Sequence, residues 1–406
     1  MPKVSVLIPA YNVEKYVEEC LDSILNQTMQ DFEIICVDDC STDGTLRILR
    51  EYEERDDRIH VYTHDVNKGQ SAGRNLALSK ASGMYVYMMD SDDKLVPGAL
   101  EELYLAVSKD DLDLIGFETE NFADDMTFES NARIKTLTYR DTEVLSGREA
   151  LTYCMDTESF SLSVPTFMMR REYLNENSIR FVEGILHEDV GYILELIVRA
   201  ERVRFLHKVY FLRRIRANST MTVGFTDKNI EGYIRSFYRS FDLENESEIQ
   251  EALDGEPEFE RAYRKWQRDI FGRLNQLYEQ NSNVISQMKG GNVTEEIRRI
   301  FEIVKLSHYR LDEKEIKEIN ISECYLCGTG QYTRRAIQAL GEQGVIIKGI
   351  ISMESDKKAF AGFPIIHASA ADPEVPVVLS VSRYTKEEYK KIIQKNNSTR
   401  LIELSW

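Results

Sequence analysis

From its start the chain alternates short apolar runs with amphipathic stretches, and the apolar runs end in polar or acidic tips. Val4–Ile8 reads as a buried strand, followed by the loop Pro9-Ala-Tyr-Asn12. A helix is predicted over Glu14–Leu25, where Val17, Leu21, Ile24 and Leu25 share a face. Phe32–Val37 reads as a second strand, closing on Asp38-Asp39 and the turn-rich Cys40-Ser-Thr-Asp-Gly44. A helix over Thr45–Glu54 and a strand over Ile59–Thr63 follow, then the loop from Asn67-Lys-Gly69 to Arg74-Asn75 that opens a further helix. Such a pattern permits few folds. Right-handed crossovers give a doubly wound, parallel α/β sheet whose strand tips gather along one ligand-binding edge.

The next strand, Tyr85-Val-Tyr-Met-Met, ends in the carboxylates of Asp90, Asp92 and Asp93. Tyr11, Asp39 and Asp92 are expected to converge at the edge. Clustered carboxylate oxygens at a strand tip suit a hard divalent cation, Mg2+ or Mn2+, shared with substrate phosphates. An acidic surface turn is the plain alternative for such a run alone, and the context decides against it. Val-Ser-Val-Leu-Ile-Pro-Ala-Tyr-Asn12, Val-Asp-Asp-Cys-Ser-Thr-Asp-Gly-Thr45, Lys-Gly-Gln-Ser-Ala-Gly-Arg-Asn75 and Met-Asp-Ser-Asp-Asp93, in that order, resemble family 2 glycosyltransferases of the GT-A fold. The resemblance implies inverting transfer of a sugar from a nucleotide-diphospho-sugar. It implies that Pro9, Tyr11 and Asn12 form the first nucleotide loop, with the Tyr11 ring on the base. Asp39 would accept a hydrogen bond from a uracil-like base, which favours a UDP-sugar. Arg74 would contact the nucleotide or its phosphate, Asp90 would lie near the ribose and Asp92 would ligate the metal. Asp38 is left open between loop brace and ligand contact, and Asp93 between ligand contact and helix cap.

An inverting displacement needs a base on the acceptor side, because the attacking hydroxyl must lose its proton. Leu186-His-Glu-Asp189 precedes an apolar-periodic stretch through Val190, Ile193, Leu194, Ile197 and Val198. It resembles the family's Glu-Asp motif, whose Asp is the catalytic base, so Asp189 is the candidate. An acid at a helix N-terminus also serves as a cap or dipole partner. Glu188 could orient the acceptor or its loop. Downstream of a strand over Val203–Leu212, Arg213-Arg-Ile-Arg216 resembles a family segment rich in Arg or His. Alternate residues of an extended chain share a side, so Arg214 and Arg216 could both face the pyrophosphate, with Arg216 favoured; a solvated strand end is the alternative.

A chain of 406 residues exceeds one ordinary core. The division expected is a GT-A catalytic domain over 1–222, a mainly helical connector over 223–318 and a small Rossmann-like α/β module over 319–406. A net charge of −18 argues against nucleic acid as a partner. No stretch approaches the ~18–20 apolar residues of a membrane span, and a cytoplasmic location is expected, with contact at the inner face of the cell membrane left open. Scattered cysteines show no disulfide spacing, and Cys324-Tyr-Leu-Cys327 reads as core strand.

The resemblance extends to processive polysaccharide synthases, which carry membrane helices and a Gln-x-x-Arg-Trp sequence; neither stands in this sequence, which implies transfer of a single residue. The acceptor implied by the resemblance is a glycan or polyprenol-linked sugar in bacterial surface-polysaccharide assembly. Between Tyr233 and Tyr278, arginines mix with Phe237, Tyr238, Tyr263, Trp266 and Phe271 in helical register. That suits packing on the catalytic domain or a homodimer partner, and would also suit an interfacial helix. In the last module, Gly328-x-Gly330 sits between a strand and a helix over Tyr332–Gln343, with Thr333 in place of a third glycine and Glu354 or Asp356 near the next strand tip. With Gly362-Phe-Pro-Ile365, this resembles small nucleotide-sugar-binding-like domains. Ligand binding, dimerisation and structural support stay open for it. A sugar nucleotidyltransferase would open with a Gly-rich basic loop, which Pro-Ala-Tyr-Asn is not. A non-catalytic scaffold that keeps the nucleotide site is the remaining alternative.

Overall fold

In the computed structural model the chain forms two compact units, Met1–Glu296 and Ile297–Trp406. The structure describes residues 1–123, 138–216, 227–280, 321–327, 336–337, 340–341, 344–352, 359–360, 363–379 and 401–403.

Strands β1 (Val4–Ala10), β2 (Phe32–Asp38), β3 (Ile59–Thr63) and β4 (Tyr85–Met88) pair in parallel in the order β3-β2-β1-β4. Helices α1 (Val17–Leu25), α2 (Thr45–Glu53) and α3 (Gln70–Lys80) lie between them in the chain. Strands β1, β2 and β4 are buried at every position, because parallel strands are covered on both faces. This explains their unbroken apolar runs. The first helix starts at Val17, three residues later than its periodicity predicts. Residues Val13–Tyr16 form a turn instead, with Tyr16 N–H donating to the Val13 carbonyl at 2.9 Å.

Beyond β4 the sheet becomes mixed. Strands β5 (Lys94–Leu95), β6 (Leu114–Ala123), β7 (Phe167–Arg170) and β8 (Val203–Ile215) extend the order to β3-β2-β1-β4-β7-β6-β8-β5. Strand β7 is antiparallel to β4 and β6, whereas β8 runs parallel to β6. Helices α4 (Ala99–Lys109), α5 (Gly147–Asp156), α6 (Arg171–Glu176) and α7 (Asp189–Val198) complete this part. A reciprocal capping box starts α5: Ser146 Oγ accepts from Glu149 N–H, and the Glu149 carboxylate accepts from Ser146 N–H. Strand β8 runs on to Ile215, past the expected end at Leu212, because Arg213–Ile215 pair with Asn121–Ala123 of β6. That extension carries Arg214 toward the tip of β4.

Helices α8 (Asp227–Glu244), α9 (Ser247–Gly255) and α10 (Pro257–Gln280) close the first unit. Pro257 opens α10, where its missing N–H costs nothing. Helix α8 packs on α7, and α10 packs on α5. Lys265 Nζ donates to the Met155 carbonyl at 2.6 Å, and Arg261 pairs with Asp156. Phe237, Tyr263 and Trp266 are buried, Trp266 to 1% exposure. These three aromatics therefore form a packing face. The interfacial-helix reading of this segment does not hold for them. Among the described residues no helix is long and apolar enough to cross a membrane.

In the second unit, strands β9 (Glu323–Cys327), β10 (Ile346–Ile351), β11 (Ala359–Phe360), β12 (Phe363–Ile366), β13 (Val377–Leu379) and β14 (Leu401–Glu403) form a sheet in the order β11-β12-β10-β9-β13-β14. All but the antiparallel β11 are parallel. Successive parallel strands step outward from β9 first one way, then the other, which is the doubly wound arrangement. Cys324 and Cys327 are buried in β9, and burial raises the Cys324 thiol to about 12. They are core residues. The turn Gly328-x-Gly330, Thr333, Glu354, Asp356 and Gly362 lie outside the described residues, as does part of the predicted helix over 332–343.

Candidate active site

The parallel strands deliver their loops to one edge of the first sheet. Tyr11, at the tip of β1, is 47% exposed. Asn12 takes a left-handed backbone (φ 52°), which Asn tolerates better than most residues. Its Oδ1 accepts from Thr42 N–H at 2.8 Å, and its own N–H donates to Ser41 Oγ. Asn12 thus ties the loop after β1 to the loop after β2. Pro9 lies within β1 opposite Val37. Asp39 is almost wholly buried and braces the 67–69 loop. Its Oδ1 lies 2.7 Å from His64 Nδ1 and accepts from Lys68 N–H, while Oδ2 accepts from Gly69 N–H. Asp38 accepts from Ser41 N–H through Oδ2, and among the described residues its buried Oδ1 has no partner.

Arg74, on α3, joins the two halves of the site. Its side chain is 2% exposed and reaches three carboxylates: Asp90 Oδ1 at 2.9 Å, Glu188 Oε1 at 2.8 Å and Asp189 Oδ1 at 2.8 Å. Phe181 lies under the guanidinium, with the ring centroid 5.0 Å away. Burial opposes the Arg74 charge, but Asp189, Asp90 and Glu188 more than compensate and hold the group firmly cationic. Gln70 adds a second donor to Asp90 Oδ1 at 2.7 Å. Arg74, expected at the nucleotide or its phosphate, is bonded to these protein carboxyl groups in the structure. Burial raises Glu188 to about 8, with Asp189 adding to the shift and Arg74 opposing it.

Asp92 and Asp93 form a second cluster beneath the end of β8. Arg216 Nε donates to Asp92 Oδ2 at 2.6 Å, and Arg214 N–H donates to Asp93 Oδ1 at 2.6 Å. Arg214 Nε also donates to the Asp92 carbonyl at 2.8 Å, and its guanidinium pairs with Glu19. Both arginines sit over the Tyr16 ring, at 5.1 and 4.8 Å, so they share a side as alternation predicts. Burial pushes the Asp92 carboxyl up, partly offset by Arg216, and burial with Asp92 and Asp90 nearby pushes Asp93 up further.

Hard oxygen donors crowded at such a cost fit a divalent cation, which would relieve the repulsion. Among the described residues no group of three or more His, Cys, Asp or Glu side chains is arranged to hold a metal alone. A cation sharing Asp92 with a phosphate-bearing ligand suits that donor set. Sequence reading missed Gln70, His64, Tyr16 and Glu19. Gln70 was findable, since it lies inside the segment ending at Asn75. The others carry no local signal, because their partners are distant in the chain.

Residues 5–177 match the family model described as Glycosyl transferase family 2. The chain is 32% identical over 212 residues to the glycosyltransferase YibD of Escherichia coli, covering 51% of this chain and 61% of that protein. It is 31% identical over 227 residues to the glycosyltransferase GlyG of Streptococcus pneumoniae, covering 55% of this chain and 74% of that protein. It spans less than two thirds of YibD and of other relatives it matches. The crystal structure of S. aureus TarS 1–349 in complex with UDP-GlcNAc shares the fold, with a TM-score of 0.52 and 20% identity over 75% of this chain and 91% of that one. The mixed sheet with its parallel β3-β2-β1-β4 half is the GT-A arrangement, and the chain belongs to glycosyl transferase family 2.

Proposed function

We infer that this protein is an inverting glycosyltransferase, moving one sugar from a nucleotide-diphospho-sugar to a hydroxyl of a glycan or lipid-linked acceptor. One observation carries this: Arg74 holds Asp90, at the tip of β4, and Asp189, at the start of α7, on a single guanidinium. A donor-side acid and a candidate base far apart in sequence thereby face one space.

Tyr11 is exposed for stacking on the base. Asp39 Oδ2 accepts one backbone N–H, which leaves capacity for a uracil-type N–H. Asn12 and Pro9 shape the loop beside it, and Asp90 would contact the ribose. UDP-GlcNAc in the TarS crystal supports a uridine donor here. Asp92 would hold Mg2+ or Mn2+, which when bound neutralises diphosphate charge. Arg216, beside Asp92, would turn to the leaving nucleoside diphosphate as its negative charge grows. Asp189 accepts the acceptor hydroxyl's proton as that oxygen attacks the anomeric carbon and the bond to the diphosphate breaks, which inverts the centre. Glu188 keeps its own proton up to about 8, so the Arg74 charge serves Asp90 and Asp189. The setting proposed is surface-polysaccharide assembly in the cytoplasm or at the inner membrane face.

The test is calorimetric binding of UDP-, dTDP- and GDP-sugars, each with and without Mn2+ or Mg2+. Metal-enhanced binding of a UDP-sugar is expected. Failure of every donor to bind would overturn the proposal, and donor binding without any transfer would favour the non-catalytic scaffold.

A further inference from the structure

His187, immediately ahead of Glu188-Asp189, has a left-handed backbone (φ 60°). Such a conformation persists only where neighbours enforce it, and here the neighbour is α8. A Cβ built on Gly232 would lie 1.6 Å from the Leu186 carbonyl oxygen, so α8 touches the Leu186 backbone where only glycine fits. A Cβ on Gly191 of α7 would come within 3.1 Å of Ser236 Cα, so α7 also lies close against the α8 backbone. Around this crossing Asn229 Nδ2 donates to His187 Nε2 at 3.0 Å, Ser236 Oγ donates to the His187 carbonyl at 3.3 Å, and Tyr233 lies against the His187 ring at 4.7 Å. Burial lowers the His187 pKa, which keeps Nε2 available as an acceptor. These contacts fall within three residues of Asp189, and none of them reaches the donor side of the site.

We propose that α8 is a clamp on the catalytic base: Gly232 against the Leu186 carbonyl, with the left-handed turn at His187, sets the position of Asp189. Gly232 and His187 are positioning residues, acting only through Asp189. The proposal rests on the glycosyltransferase reading. It adds that a helix outside the matched family region fixes the geometry of the chemical step.

The test uses the full chain, with donor binding, donor KM and kcat measured separately. Gly232→Ala and His187→Val should bind donor as the parent does and keep its KM. Their kcat should fall tenfold or more, because a methyl at position 232 pushes the base loop away and a β-branched residue resists φ near 60°. His187→Asn, which tolerates that backbone, should stay within about threefold of the parent. Added to Asp189→Ala, Gly232→Ala should cost nothing further, since the clamp works through the carboxylate that is gone. Should Gly232→Ala fail to fold, His187→Val against His187→Asn decides. The clamp is overturned if folded Gly232→Ala and His187→Val keep parental kcat, if His187→Asn and His187→Val fall equally, or if the losses add in the Asp189→Ala background. Parental turnover by Asp189→Ala itself would instead overturn the base assignment beneath it.

Discussion

Arg74 is one buried cation bonded to the carboxyl groups of Asp90, Glu188 and Asp189, and removing it takes the countercharge from Asp90 and Asp189. Arg74→Met should therefore lower stability by about 3–5 kcal/mol in urea unfolding; a loss under about 1 kcal/mol would mean the array is not held by charge. Glu188 gives a pH signature. Its carboxyl is raised in the folded state to about 8, so its contribution to stability is complete below the ordinary carboxylate range and lost as pH rises through about 8. Glu188→Gln mimics the neutral form and should show a smaller fall in Tm between neutral and alkaline pH than the parent; parallel Tm profiles would contradict the assignment. The places of Asp90 and Asp92 after a strand and of Asp189 at the start of a helix were legible in the sequence, because the strand's apolar run and the helix's periodicity are recognisable. The contacts of Arg74 were not, since its partners Glu188 and Asp189 lie 114 and 115 residues away. Nor could the sequence show Glu188 burial, which is produced by tertiary packing.

At the scale of elements, burial decided what could be read. Strands covered on both faces read correctly from continuous apolar runs, and β3 begins and ends where predicted. The end of β8 did not, because Arg213-Arg-Ile-Arg216 looks solvated until Asp92, Asp93, Glu19 and the Tyr16 ring are placed beneath it. The helices after residue 227 read as helices, and Phe237, Tyr263 and Trp266 among their aromatics are buried in packing. Trp266 is buried beside Phe160, with ring centroids 6.4 Å apart. Trp266→Ala should cost about 3–5 kcal/mol of stability, measured by urea unfolding. A cost near zero would mean α10 does not belong to the catalytic unit's core.

For the whole molecule, a net charge of −18 argues against attraction to anionic surfaces. Co-sedimentation with vesicles containing anionic lipid should be no greater than with zwitterionic vesicles; a marked preference for the anionic ones would reveal a basic face that the charge balance conceals. Two α/β sheets in one chain were legible from two separate strand-helix-strand patterns, the second weaker because its strands are shorter and its Gly turn carries one short motif; the antiparallel strands that make the first sheet mixed were not. The most direct test of the proposed site compares the parent with Asp92→Ala and Asp189→Ala, measuring donor affinity with metal and turnover of the same nucleotide-sugar. Asp92→Ala should lose metal-dependent donor binding, and Asp189→Ala should bind donor normally while turnover falls by about 10²–10⁴-fold. Parental turnover by Asp189→Ala, or parental metal-dependent binding by Asp92→Ala, would contradict the site as assigned.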